Sequence, residues 1–125
     1  MFVRSPHAHA RIASIDLDAA RAIPGVVAVV TGAELRAAAR GALPCRLAYA
    51  GDDGKPVCFP PRLALPHDRA RFVGEPVAMV VGQTLAAARD GAEAVAVDWE
   101  PLDPVIGIAQ ARAAAPIHDA MPGNR

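Results

Sequence analysis

Aromatic residues are scarce in this sequence: three Phe, one Tyr and one Trp make up 4% of its 125 residues. Leu, Ile and Val must therefore do most of the packing. Much of the 53% apolar content is alanine, so the core has less volume than the percentage suggests. Cysteine is nearly absent, and Cys45 and Cys58 are too few for a disulfide framework. That shortage, with no basic-then-apolar leader over residues 1–6, sets the expectation of a reducing, cytoplasmic compartment. No apolar run approaches the roughly 18 residues that span a bilayer. A surplus of either charge is missing too. The 13 basic and 13 acidic residues cancel without clustering, which argues against nucleic acid or an acidic membrane surface as a partner. The same neutrality weakens repulsion between copies, so a homodimer is expected to be accessible. At this length one domain over residues 1–125 is expected, with a modest core.

What is present is a series of short apolar runs separated by turn residues. Residues 2–4 read as a strand stub cut by Ser5-Pro6. Residues 11–17 alternate with period two, placing Ala13, Ile15 and Leu17 on one face and Ile12, Ser14 and Asp16 on the other. Asp18 is positioned to cap a short helix over residues 19–23, which Pro24-Gly25 stops. Residues 26–30 are β-branched except for Ala28, a pattern that suits a strand covered on both faces. Thr31 and Glu34 then have capping-box spacing, predicting a helix through Arg40 ended by Gly41.

Residues 41–70 hold Pro44, Pro56, Pro60-Pro61 and Pro66 and leave little room for a helix. Asp53-Gly54 predicts a hairpin turn between extended pieces at 46–50 and 55–59. The rest of this long stretch is expected to be irregular. Beyond it, residues 77–81 predict a buried strand, and Thr84 a cap for a helix presenting Leu85, Ala88, Ala92 and Val95 on one face. Residues 95–99 form the next strand, and the dozen residues between the two fit a parallel βαβ crossover in a mixed sheet. A last helix over residues 108–114 is halted by Pro116, and 117–125 reads as a linker. Three to four helices are expected in an α+β fold.

Candidate chemistry is thin. His7 and His9, at i and i+2, could join Cys45, Cys58, His67 or His118 around zinc, but the spacing matches no common zinc module. No base accompanies either cysteine as a nucleophile. Glu75 lies between Gly74 and Pro76 with no partner in sequence to tune it, so a turn explains it better than general-base catalysis. The glycine before Thr84 is explained by ordinary helix capping rather than anion binding. No catalytic, cofactor-binding or metal residue is assigned.

Two phrases are distinctive: Phe2-Val3-Arg4-Ser5-Pro6-His7-Ala8-His9-Ala10-Arg11-Ile12, and the block running from Arg71-Phe72-Val73-Gly74-Glu75-Pro76 to Trp99-Glu100-Pro101-Leu102. Together they resemble the α/β hammerhead domain of the large, molybdopterin-binding subunit of xanthine dehydrogenase, aldehyde oxidase and carbon monoxide dehydrogenase. The resemblance implies a hammerhead fold and an enzyme that uses molybdenum held by molybdopterin. It further implies iron–sulfur clusters and flavin on partner domains or subunits. The family's pterin-gripping residues and catalytic glutamate match no position here. Pro101-Leu102-Asp103-Pro104 departs from the family in proline spacing, which affects a loop only. The chain therefore resembles an excised domain or a split gene product, inactive alone. It is expected to pack against downstream molybdopterin-binding domains and iron–sulfur or flavin subunits. Phe2, Arg4, Phe72, Gly74, Glu75 and Pro76 are the expected interdomain contacts. Two other functions are weighed: an autonomous binding module that uses the 41–70 loop, and a small metal enzyme built on His7, His9 and a cysteine.

Overall fold

The β-branched runs form two three-stranded sheets in a computed structural model, which describes residues 1–45, 47, 49–51 and 54–124. In chain order the elements are β1 (Phe2–Arg4), β2 (Ala10–Asp16), α1 (Asp18–Arg21), β3 (Val26–Thr31) and α2 (Gly32–Ala37). They continue with β4 (Arg69–Ala70), β5 (Pro76–Gly82), α3 (Leu85–Ala94), β6 (Ala96–Pro101) and α4 (Ile108–Ala113). One sheet has the order β1-β5-β3 and the other β4-β2-β6. The α+β class and the count of helices match expectation.

The mixed sheet does not. Every strand pairing among the described residues is antiparallel, and the strands flanking α3 belong to different sheets. The expected parallel βαβ unit fails because both edges of β5 are occupied, by β1 and β3. β6 instead runs the length of β2, from Ala10 opposite Pro101 to Asp16 opposite Ala96. Spacing alone specifies a crossover, whereas the partner is chosen by non-local pairing.

The main unit comprises Met1–Gly41 and Ala64–Pro104. Its core gathers Ala20, Val29, Val80 and Val95, with Val3, Ile15 and Val97 packed against them. Both sheets and the helices α1 and α3 thus contribute. A bulge between Ile12 and Ser14 shifts the parity of β2. Ile12 and Ile15 are consequently half-buried while Ala13 is exposed, correcting the strict alternation read from sequence. On α3 the buried residues are Ala87, Ala88 and Gly91, and Leu85 is 61% exposed. Small residues are needed there: a Cβ on Gly91 would come within 2.8 Å of a Val26 methyl and 2.9 Å of a Val80 methyl.

Capping follows the sequence in most places. Thr31 accepts from the Glu34 N–H, and the Glu34 carboxylate accepts from the Thr31 N–H at 2.8 Å, closing the predicted box. Thr84 accepts from the Ala87 N–H at 3.1 Å. At α1 the capping carboxylate is Asp16, which accepts from the Asp18 N–H at 2.9 Å, rather than Asp18 itself. The helix α2 stops before Gly41. Ala39 takes φ 53, and the Arg40 N–H donates to the Leu35 carbonyl at 2.9 Å, giving a Schellman-type end on a residue with a Cβ.

The smaller unit comprises Ala42–Leu63 and Val105–Arg125. Asp53 of the predicted Asp-Gly turn lies outside the described residues, as do Arg46, Ala48, Asp52 and Arg125. The flanking pieces pair as a hairpin. Ala50 bridges Pro56, the Val57 N–H donates to the Tyr49 carbonyl at 2.9 Å, and the Gly51 N–H donates to the Lys55 carbonyl at 2.8 Å. Residues 117–124 return to α4. Asn124 donates to the carbonyls of Ala111, Ala114 and Ala115 and accepts from the Ile117 N–H.

Candidate functional site

The turn leading into β5 is built by four consecutive residues. The Glu75 N–H donates to the Phe72 carbonyl at 3.2 Å, and Gly74 has φ 86, as the third position of a type II turn requires. A side chain at Gly74 would meet nothing within 4 Å, so the demand for glycine is conformational rather than steric. Pro76 then starts the strand with φ already set.

The turn is fixed to the end of β1 by reciprocal backbone bonds. The Ser5 N–H donates to the Glu75 carbonyl at 2.9 Å, and the Gly74 N–H donates to the Ser5 carbonyl at 2.8 Å. Arg4 donates to the Gly74 carbonyl at 2.7 Å while its guanidinium carbon lies 5.8 Å from the Phe2 ring centroid. Arg4 therefore joins Phe2 to the turn. Phe2, Phe72 and Val73 remain 46%, 55% and 64% exposed, so these large apolar side chains project from a rigid backbone frame.

Below the turn lies a charged cluster. The Glu75 carboxylate accepts from the Arg71 N–H at 2.6 Å. Burial pushes its pKa up from the ordinary value, and the Arg71 N–H and guanidinium oppose that shift only in part. The Arg71 guanidinium meets Asp68 at 3.3 Å, and Arg69 reaches the same carboxylate at 3.5 Å. For Asp68 burial acts upward as well, but the Arg71 charge and the Arg69 N–H prevail and hold the carboxyl below its usual value. The two carboxylates are thus driven apart, with Glu75 spent on the backbone of the turn. That arrangement suits a brace.

The histidines separate. His7 packs edge-on against Trp99, with ring centroids 5.7 Å apart. His9 directs Nδ1 at the Asp103 carbonyl, 3.1 Å away. Among the described residues no group of three or more His, Cys, Asp or Glu side chains is placed to hold a metal. Cys45 and Cys58 are exposed. No described helix is long and apolar enough to cross a membrane.

Residues 1–103 match the family described as aldehyde oxidase and xanthine dehydrogenase, a/b hammerhead domain. The chain belongs to this family. It is 42% identical over 105 residues to the carbon monoxide dehydrogenase large chain of Afipia carboxidovorans, which covers 81% of this chain and 11% of that one. The nicotine 6-hydroxylase large subunit of Paenarthrobacter nicotinovorans is 38% identical over 105 residues, covering 84% and 12%. The solved quinoline 2-oxidoreductase of Pseudomonas putida 86 superposes with a TM-score of 0.80 at 36% identity, over 98% of this chain and 15% of that one. The hammerhead chain thus spans 11–12% of the length of these curated relatives. It is homologous to one domain of oxidoreductase large subunits.

Of the expected contact residues, the structure brings Arg4, Phe72, Gly74 and Glu75 into one hydrogen-bonded unit, with the Phe2 ring against the Arg4 guanidinium. Sequence reasoning missed Ser5, which is 2% exposed and anchors the turn, and the Asp68–Arg71 pair beneath it. A proline after Ser5 was the available signal for the first. Nothing local links Asp68 to Glu75.

Proposed function

We propose that the hammerhead chain is a structural and interface domain of a molybdenum hydroxylase large subunit, with residues 1–125 acting as one domain. The carrying observation is a family match over residues 1–103 combined with coverage of only 11–12% of the relatives' length. In this reading catalysis belongs to further domains that hold molybdopterin and molybdenum, with iron–sulfur clusters and flavin on partner domains or subunits. The chain contributes no catalytic residue and works in the cytoplasm, without nucleic acid or membrane. Phe2, Arg4, Phe72, Gly74, Glu75 and Pro76 form its contact with a neighbouring domain. Exposed aromatic side chains held by a braced turn support that role, because little conformational entropy is left to lose on docking. The 41–70 segment is an insertion, and 117–125 leads toward the next domain.

The test is assembly and turnover. Purified alone and offered purine, aldehyde or carbon monoxide with an electron acceptor, the chain is expected to show no turnover. Supplied together with the large polypeptide it is encoded with, fused or separate, it is expected to be needed for a soluble, active enzyme. Turnover by the chain alone, or full assembly without it, would overturn the reading. One observation favours a second reading as a binding module: the Tyr49 and Phe59 rings of the hairpin lie tilted at 56° with centroids 6.5 Å apart, while 59% and 38% exposed. A ligand that binds the isolated chain and is lost on Tyr49→Ala would support it.

A further inference from the structure

The hairpin of the smaller unit sorts its side chains by size. The Gly51 and Val57 N–H bonds that flank the Ala50–Pro56 bridge set Tyr49 directly opposite Val57. By the alternation of side chains Leu47 falls on the face of Tyr49, and Phe59 on that of Val57. The Tyr49 and Phe59 rings meet on that face, with centroids 6.5 Å apart. The opposite face carries the smaller Ala50, Pro56 and Cys58. Leu47, Tyr49, Val57 and Phe59 are 60%, 59%, 42% and 38% exposed, and none is charged. A two-stranded hairpin is marginal in water by itself and gains stability from a layer on its apolar face.

The 56° tilt between the rings leaves no parallel slot for a planar small molecule, so the face suits a broad surface. Its size fits one interface. Taking roughly 150–250 Å² for an aromatic and somewhat less for Leu or Val, these exposures leave about 350 Å² of apolar side chain uncovered per copy. A standard interface draws about 800 Å² from each partner, a little over half of it apolar. The hairpin thus supplies most of the apolar part of one interface. Charge selects the partner. In the sequence Asp52 and Asp53 outweigh Lys55 at the turn end, while Arg46 and Arg62 make the open end basic. Such a face is complementary to itself when two hairpins stack about a two-fold axis, each turn end over the other copy's open end. Deepening the binding-module reading above, on which it rests, we infer that this face is occupied by the same face of a second copy of the chain, stacked turn end to open end.

Sedimentation equilibrium of the full chain at about 100 µM and low salt is expected to find a dimer, within the affinity range of standard interfaces. Tyr49→Asp is expected to weaken it by about tenfold or more, because a charge is then buried without a partner. Arg62→Glu, which sets acidic ends over one another, is expected to weaken it severalfold. Leu85→Asp, at a leucine of α3 that is 61% exposed, should leave it unchanged. Circular dichroism checks that the variants fold. Where one does not, hydroxyl-radical footprinting of the unaltered chain decides the matter: labelling at Tyr49 and Phe59 should fall as the dimer forms and persist at Leu85. A chain that stays monomeric overturns the inference, as does a dimer indifferent to both hairpin variants or one with both rings still labelled. The binding-module reading is tested separately, by whether another ligand is lost with Tyr49→Ala, and the interface-domain reading is untouched by either result.

Discussion

Gly32 opens α2 against the backbone of Leu65 and Pro66, and of the glycines in the main unit it is the one where an added methyl should do the most damage. The added Cβ would meet the Pro66 carbonyl oxygen, and would lie 2.5 Å from the Pro66 carbonyl carbon and 2.6 Å from the Leu65 carbonyl oxygen. Ordinary contact is about 3.5–4.0 Å, so the two segments must part by roughly 1 Å. No side chain can rotate away, because the obstacles are backbone. Leu65 is 4% exposed and Pro66 is among the fully buried residues, so their backbone cannot swing outward freely. Overpacking costs about 1–3 kcal/mol in general, and rigid backbone places this case at the upper end. Alanine returns at most about 1 kcal/mol through helix propensity. The net expectation is a loss of about 2 kcal/mol, or roughly 6–10 °C in Tm for a domain of this size. Urea denaturation gives the free energy and calorimetry the Tm. Gly41→Ala is the control, since nothing lies within 4 Å of its Cβ, and it should stay within about 0.5 kcal/mol of wild type. If Gly32→Ala matched that control, the close approach of α2 to residues 65–66 would be refuted. Amide exchange at Arg71 should also quicken in the variant, because residues 65–66 lead directly into the Asp68–Arg71–Glu75 brace.

Ala39 and Gly74 share a positive φ but only one is glycine. Ala39→Gly should therefore stabilise by about 0.5–1 kcal/mol, and Gly74→Ala should destabilise by about 1–2 kcal/mol, both read by chemical denaturation. Burial raises the Glu75 carboxyl above its ordinary 4.5, so its contribution to stability is present below that value and lost as pH rises through the raised one. Asp68, held below its ordinary 3.8, contributes above that value and loses the contribution as pH falls through its lowered one. Glu75→Gln should consequently gain on wild type as pH climbs through the raised Glu75 value toward neutrality, whereas Asp68→Asn should lose most at neutral pH and least in acid. A pH-independent difference for either variant in urea titrations would contradict the assignment. Asn124→Ala removes the side chain that gathers the last carbonyls of α4. It should cost about 1–2 kcal/mol, with faster amide exchange confined to residues 108–124.

Much of this domain was readable from local rules. The strands at 2–4, 26–31 and 76–82, the caps at Thr31 and Thr84, and the Gly74-Pro76 turn each depend on residues within a few positions of one another. The two distinctive phrases were enough for the family, which the match over residues 1–103 bears out. Errors arose where a local pattern met a non-local choice. Ala13 followed alternation on paper and became the bulge against β6. Leu85 was placed on the packed face, but that face centres on Ala87, Ala88 and Gly91 and leaves Leu85 61% exposed.

The sequence by itself determined the elements, their caps and the kinship of the chain, because hydrogen bonds and φ preferences act between near neighbours. Tertiary structure alone decided that β5 and β6 part into different sheets and that Asp68, Arg71 and Glu75 form a brace under Ser5. Those outcomes depend on contacts between residues far apart in the chain, such as His9 with Asp103 (|i−j| = 94), and no periodicity within a short window encodes them.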